Sequence, residues 1–250
     1  MNLYEKAEIR RRLRSDPSWS AYALGDLDDC RFHHSDWYGF PDDSSIALWY
    51  REFPNPVFFY SGTDDSLERL LPSIPFVTGT HLQIRHAALP LLAARTPIAW
   101  SKPMIRMRLD SPAAGCPNAV PLGIADADAL TALYADGAAA GESPDFFFPS
   151  MLDGGFFFGV RREERLVAAA GTHIVSQREA TAAIGNVYTH REHRGQGLAQ
   201  SVTSAVTAAL LAAGIQTVIL NVAAHNHAAI HVYEKLGFVR HCEFFEALTA

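Results

Sequence analysis

The chain has 250 residues, 48% hydrophobic and 19% charged, the composition of ordinary globular domains and a length for one large or two small ones. A net charge of −6 argues against the broad basic footprint of a nucleic-acid binder. Cys30, Cys116 and Cys242 are too few and too scattered for a disulfide framework or a thiolate zinc site.

The opening MNLYEKAEIRRR has no apolar signal core. The most apolar stretch, 205–222, is interrupted by Gly214, Gln216 and Thr217. It reads as helix then strand, so no membrane partner and a cytoplasmic location are expected.

Residues 3–14 read as a helix, with Leu3, Ile9 and Leu13 inward, Arg10 to Arg12 and Arg14 solvated, and Asp16-Pro17 as the stop. Trp19, Tyr22, Leu24 and Leu27 suit a second short helix. Strands are expected over 45–53 and 57–60, with Pro54-Asn55-Pro56 between them. Asp64 opens a helix that Pro72 ends, 82–94 reads as a strand followed by a helix after Pro90, and 104–109 alternates as a strand.

The Pro-, Gly- and Ala-rich stretch 110–118 is the candidate linker between domains 1–112 and 113–250. Beyond it, a strand over 119–124 precedes a helix capped by Asp126, with Ala129, Leu130, Leu133 and Tyr134 on its apolar face. The loop 137–144 follows, then a short helix opened by Asp145 and carrying Phe146, Phe147 and Phe148. Strands are expected over 155–160, 166–175 and 182–189, with a hairpin turn at 161–164.

The third of these strands leads into Arg194-Gly195-Gln196-Gly197-Leu198-Ala199, and a helical pattern starts at once. Its apolar face is Leu198, Val202, Ala205, Val206, Ala209, Leu210 and Ala213, and Gly214 is its stop. Two glycines let the backbone turn tightly and bring bare N–H groups near a ligand. The first N–H groups of a helix lack internal partners and carry partial positive charge, which together make a cradle for phosphate. Arg194 adds a fixed cation that can grip phosphate oxygens as a fork. Gln200 stands where a dinucleotide fingerprint needs its third glycine, and no Gly-Lys-Ser/Thr of a P-loop occurs.

The pattern Arg-x-x-Gly-x-Ala after a strand resembles the acetyl-CoA loop of the GNAT acetyltransferases. Downstream, the strand 216–222, Asn226 and A-A-I-H-V-Y-E-K-L-G-F at 228–238 resemble a second GNAT hallmark, in the same order. The resemblance implies an α/β (α+β) fold, a C-terminal GNAT domain with a mixed, mainly antiparallel sheet flanked by helices. The first half is similar in layout to the degenerate N-terminal half of tandem GNAT proteins and of glycine N-acyltransferase-like proteins.

The resemblance also implies acetyl-CoA as co-substrate and a small-molecule or peptide amine as acceptor, in a monomer or homodimer. Backbone groups of Val187, Tyr188 and Thr189 would take the pantetheine arm. The loop Arg194, Gly195, Gln196, Gly197, Leu198 and Ala199 would take the pyrophosphate. Asn226 would bind the pantetheine amides, and Tyr233 would protonate the departing thiolate. Many relatives carry a base glutamate on the strand before the loop, where this chain has Ala182 and Ala183. His173, which titrates near neutrality when unperturbed, Glu142, or a water held by Asn186 or Ser176 remain as the base. His225, His227 and His231 lack a completing Cys or carboxylate, so no metal is expected. A non-catalytic CoA-binding module and an acyltransferase with a longer acyl donor are the alternatives.

Overall fold

The computed structural model describes residues 2–3, 5–113, 118–138, 141–144 and 146–250; Cys116 and Asp145 lie outside them. Two compact units emerge: Met1–Arg106 with Val222–Asn226 and Arg240–Ala250, and Met107–Asn221 with His227–Val239.

The first unit contains β1 (Asn2–Leu3), α1 (Lys6–Leu13), α2 (Ala21–Gly25), α3 (Asp29–Phe32), β2 (Ser35–Tyr38), β3 (Ile46–Tyr50), β4 (Val57–Ser61), α4 (Asp64–Leu70), β5 (His81–Arg85) and α5 (Ala88–Arg95). Most of β6 (Ile98–Leu109) belongs to it as well. Strand alternation explains why every residue of β3 is buried. Ala47 and Trp49 face one core with Phe58, Tyr60 and Leu67. Ile46, Leu48 and Tyr50 face the other, with Trp19, Trp37, Phe59 and Phe244.

Several expectations need correction here. Leu3 is in a strand, paired with Trp37, and the first helix begins at Lys6. The strand expected over 45–53 is shorter, and β2 and α3 were not foreseen. Pro90 lies inside the first turn of α5, where a missing N–H costs nothing, so the helix starts before it.

The second unit contains β7 (Val120–Leu122), α6 (Ala127–Ala138), β8 (Phe157–Arg162), β9 (Arg165–Ser176), β10 (Thr181–Thr189), α7 (Leu198–Ala212), β11 (Thr217–Ala223, to Asn221) and α8 (His227–Lys235). Its strand order is β11-β10-β9-β8-β7. β7 to β10 are antiparallel neighbours, and β10 runs parallel to β11. That is the mixed, mainly antiparallel sheet expected. On α7, Val202, Val206 and Leu210 are fully buried, as their spacing requires. The last strand, β12 (Phe238–Thr249), starts here and from Arg240 belongs to the first unit, where it pairs antiparallel with β5.

No helix runs from 146: a 3-10 turn spans Pro149–Gly154 instead. Phe148 is extended (φ −128°, ψ 139°), the conformation that a following proline enforces. Among the described residues no helix is long and apolar enough to cross a membrane.

Candidate functional site

The site is built at a fork in the second unit. β10 pairs with β11 over Thr181–Ile184, opposite Thr217–Leu220, and no further. Beyond Ile184, register against β9 slips between Gly185 and Tyr188. Such a bulge bends the strand and re-aims its groups. Asn186 sits in the slip with φ +53°, a left-handed conformation that asparagine tolerates better than most residues. Its carbonyl accepts from the Tyr134 hydroxyl at 2.9 Å, which ties the bulge to α6.

His173 crosses the bulge from β9. A Cβ on Gly185 would lie 2.2 Å from its Nε2, so glycine is what lets the imidazole lie flat on the strand. The Phe146 ring stands 5.9 Å from the imidazole and 4.8 Å from Phe148. Burial pushes the pKa of His173 down to about 4, opposed by its hydrogen bond with Asn186. The near-neutral titration expected from its residue type is therefore corrected: the imidazole is neutral across the working range.

The fork opens toward the glycine loop. A 3-10 turn at Arg191–His193 ends β10's exit, and Gly195 and Gly197 both adopt left-handed φ, +75° and +74°. Gly197 is the N-cap of α7 and supplies no side-chain bond, so the first amides of this 15-residue helix point outward uncapped. A Cβ at Gly195 or Gly197 would meet nothing within 4 Å. The space in front of the amides is open, as an approaching phosphate requires, and the residues present fit the diphosphate of CoA.

Arg194 lies beside this opening. Its Nη2 donates to Glu142 Oε2 at 2.6 Å, its Nε to the Thr189 carbonyl at 3.3 Å, and its guanidinium lies 5.8 Å from the Tyr188 ring centre. The Arg194 guanidinium holds the Glu142 carboxyl below the usual carboxylate range. The side chain of Tyr188 turns toward α6. Its hydroxyl donates to Asp136 at 2.9 Å.

Sequence reading missed Asp136. It accepts from the Arg191 backbone N–H at 3.1 Å and pairs with the Arg191 guanidinium. The Arg191 N–H first, then the Tyr188 hydroxyl, hold its carboxyl at about 2 against the cost of burial. No spacing in the sequence marks it: Asp136 and Arg191 are 55 residues apart.

Tyr233, on α8, is buried and packs its ring 6.2 Å from Phe238. Burial pushes its phenol up to about 12, so it stays protonated. Asn226 belongs to the Val222–Asn226 piece of the first unit, where its N–H bonds the Ala223 carbonyl. Among the described residues no group of three or more His, Cys, Asp and Glu could hold a metal.

The first unit also has a parallel strand pair, β4 with β5 over Val57–Phe59. There Trp19 donates its indole N–H at 2.9 Å to the Tyr60 carbonyl, the first β4 residue beyond that pairing. This fork is filled by the protein's own side chain.

Residues 128–238 match the acetyltransferase (GNAT) family. A mycothiol acetyltransferase of Paenarthrobacter aurescens is 36% identical over 104 residues, 40% of this chain and 31% of that protein. The chain thus matches about a third of that curated relative's length. Among solved structures, a GNAT-family chain from Novosphingobium aromaticivorans is 22% identical with TM-score 0.62, covering 94% of this chain and 99% of that one. A tandem GNAT protein from the clavulanic acid biosynthesis pathway is 14% identical with TM-score 0.56, covering 100% of this chain and 97% of that one. At such identities the two structures establish the shared fold, including a two-domain layout. Residues 128–238 thus resemble the GNAT acetyltransferases in sequence, and the chain shares the fold of the two solved structures.

Proposed function

We propose that the chain is an N-acetyltransferase that moves acetyl from acetyl-CoA to a primary amine of a small molecule or peptide, with donor binding in the second unit. The observation that carries this is the fork at Ile184 opening onto the uncapped N-terminus of α7 through two left-handed glycines. The free edge of β10 at Val187 and Thr189 suits the amides of a pantetheine arm, and the loop 194–199 suits the diphosphate. The match to a mycothiol acetyltransferase, confined to part of both chains, supports the acetyl group as cargo.

Acetyl-CoA supplies an activated thioester. The protein supplies orientation and proton handling. A neutral imidazole at His173 has a lone pair to accept the amine's proton, directly or through water. Tyr233 keeps its proton at all working pH values and can give it to the departing thiolate.

Ala182 and Ala183 are fully buried where a base carboxylate would stand, which favours a second reading, a CoA-binding module without chemistry. Release of free CoA thiol from acetyl-CoA, assayed with a panel of primary amines, separates the two. Amine-dependent release and acetylated product are expected. Tight CoA binding with no turnover on any amine would favour the binding module.

A further inference from the structure

We infer that Glu142 is an electrostatic latch, which holds the segment after α6 onto the phosphate loop until the donor's diphosphate displaces it. This rests on the reading of the loop 194–199 as the diphosphate site.

The pair joins two segments 52 residues apart. At one end is Arg194, the residue before Gly195, where a Cβ would meet nothing within 4 Å. At the other is Glu142, held to the end of α6 by its N–H bond to the Gly137 carbonyl at 3.0 Å, two residues before Pro144. At 2.6 Å the contact has the length of a charge-assisted hydrogen bond.

Two features make Glu142 a competitor of the diphosphate rather than a support for Arg194. First, Arg194 is oriented without it: Nε is anchored on the Thr189 carbonyl and the guanidinium rests against the Tyr188 ring. Asp136 in turn fixes Tyr188. Removing Glu142 leaves those restraints in place. Second, a carboxylate on the guanidinium cancels part of the charge a diphosphate would use, and repels its oxygens at short range. Both side chains are about half exposed, 45% and 44%, so the pair is a weak surface ion pair that a multivalent anion can displace. Donor binding would then release Glu142 and free the 141–144 segment, which couples the donor loop to the region before Phe146 and Phe148.

Calorimetric titration tests this with CoA, inorganic pyrophosphate and acetyl-pantetheine, which lacks the diphosphate. Glu142→Gln should bind CoA and pyrophosphate about 1.5- to 5-fold more tightly than wild type, the scale of a surface ion pair. Acetyl-pantetheine should bind both proteins equally. In an Arg194→Ala background the Glu142→Gln gain should vanish. Hydrogen exchange over 141–144 should rise in wild type on adding CoA and be high in Glu142→Gln from the start. Weaker CoA binding by Glu142→Gln would overturn the latch and make Glu142 a positioning residue for Arg194. So would a gain that persists without Arg194. If Glu142→Gln shows the expected gain for pyrophosphate but neither protein binds CoA, the latch stands and the donor reading fails; if neither ligand binds, both fall.

Discussion

The Tyr188 hydroxyl donates to Asp136 at 2.9 Å, while the ring of the same tyrosine carries the Arg194 guanidinium 5.8 Å from its centre. One carboxylate on α6 thereby sets the posture of β10's last turn and of the cation beside the glycine loop. Its other bonds, to the Arg191 N–H and guanidinium, fix the 3-10 turn that delivers Arg194.

Asp136→Asn should therefore weaken CoA binding without touching any group that contacts the ligand. A several-fold rise in Kd and a melting temperature lower by a few degrees are expected, read by calorimetry and thermal unfolding. The stability difference between the two proteins should shrink as pH falls. A carboxylate held at about 2, against an ordinary value near 3.8, contributes stability above 3.8 that is lost on acidification toward 2.

His173 gives the opposite kind of pH signal. Half-buried, with desolvation lowering its pKa to about 4, it binds its proton later than in the unfolded chain, whose histidines titrate near 6.5. The unfolded state gains protons first, so this contribution is intact above pH 6.5 and is lost as pH falls from there to 4. Denaturant unfolding should show wild type losing on the order of 1–3 kcal/mol more over that window than His173→Gln. Equal slopes in the two proteins would mean the imidazole is not held neutral. In catalysis, His173→Gln should lower kcat by roughly 10- to 1,000-fold if the imidazole takes the amine's proton.

Tyr233→Phe keeps the ring against Phe238 and removes the phenol proton. If that proton goes to the thiolate, kcat should fall by roughly 10- to 1,000-fold with the acetyl-CoA KM nearly unchanged. Steady-state kinetics decide it. An unchanged kcat with a lower melting temperature would make Tyr233 a core residue only.

The second unit was more legible in the sequence than the first. Its signals are local: helical spacing from Leu198 to Ala213, the glycine pair, and the N-x-x-A-x-x-x-Y-x-K-x-G-F run all lie within short windows. What escaped depends on distant partners. β2 has no clean alternation in S-D-W-Y and is a strand because Trp37 pairs with Leu48 on one side and Leu3 on the other. Leu3 was read as helical for the same reason. The return of residues 240–250 to the first unit depends on pairing with His81–Arg85, more than 150 residues earlier in the chain, which no periodicity encodes. A short helix opened by Asp145 was expected to carry the three phenylalanines, but Pro149 forces Phe148 to be extended. In the site, the glycine loop was readable because its chemistry is in its backbone. The neutral state of His173 was not, because it depends on desolvation by the folded surroundings, working against the hydrogen bond with Asn186.

The most direct measurement is a calorimetric titration of CoA into wild-type protein and Gly197→Val. The glycine's φ of +74° strains any β-branched residue, and its side chain would enter the open space before the helix amides. Wild type should bind one CoA per chain, since Trp19 fills the fork of the first unit. Gly197→Val should lose at least tenfold in affinity while unfolding cooperatively. Two CoA sites per chain, or undiminished affinity in Gly197→Val, would contradict donor binding at the N-terminus of α7.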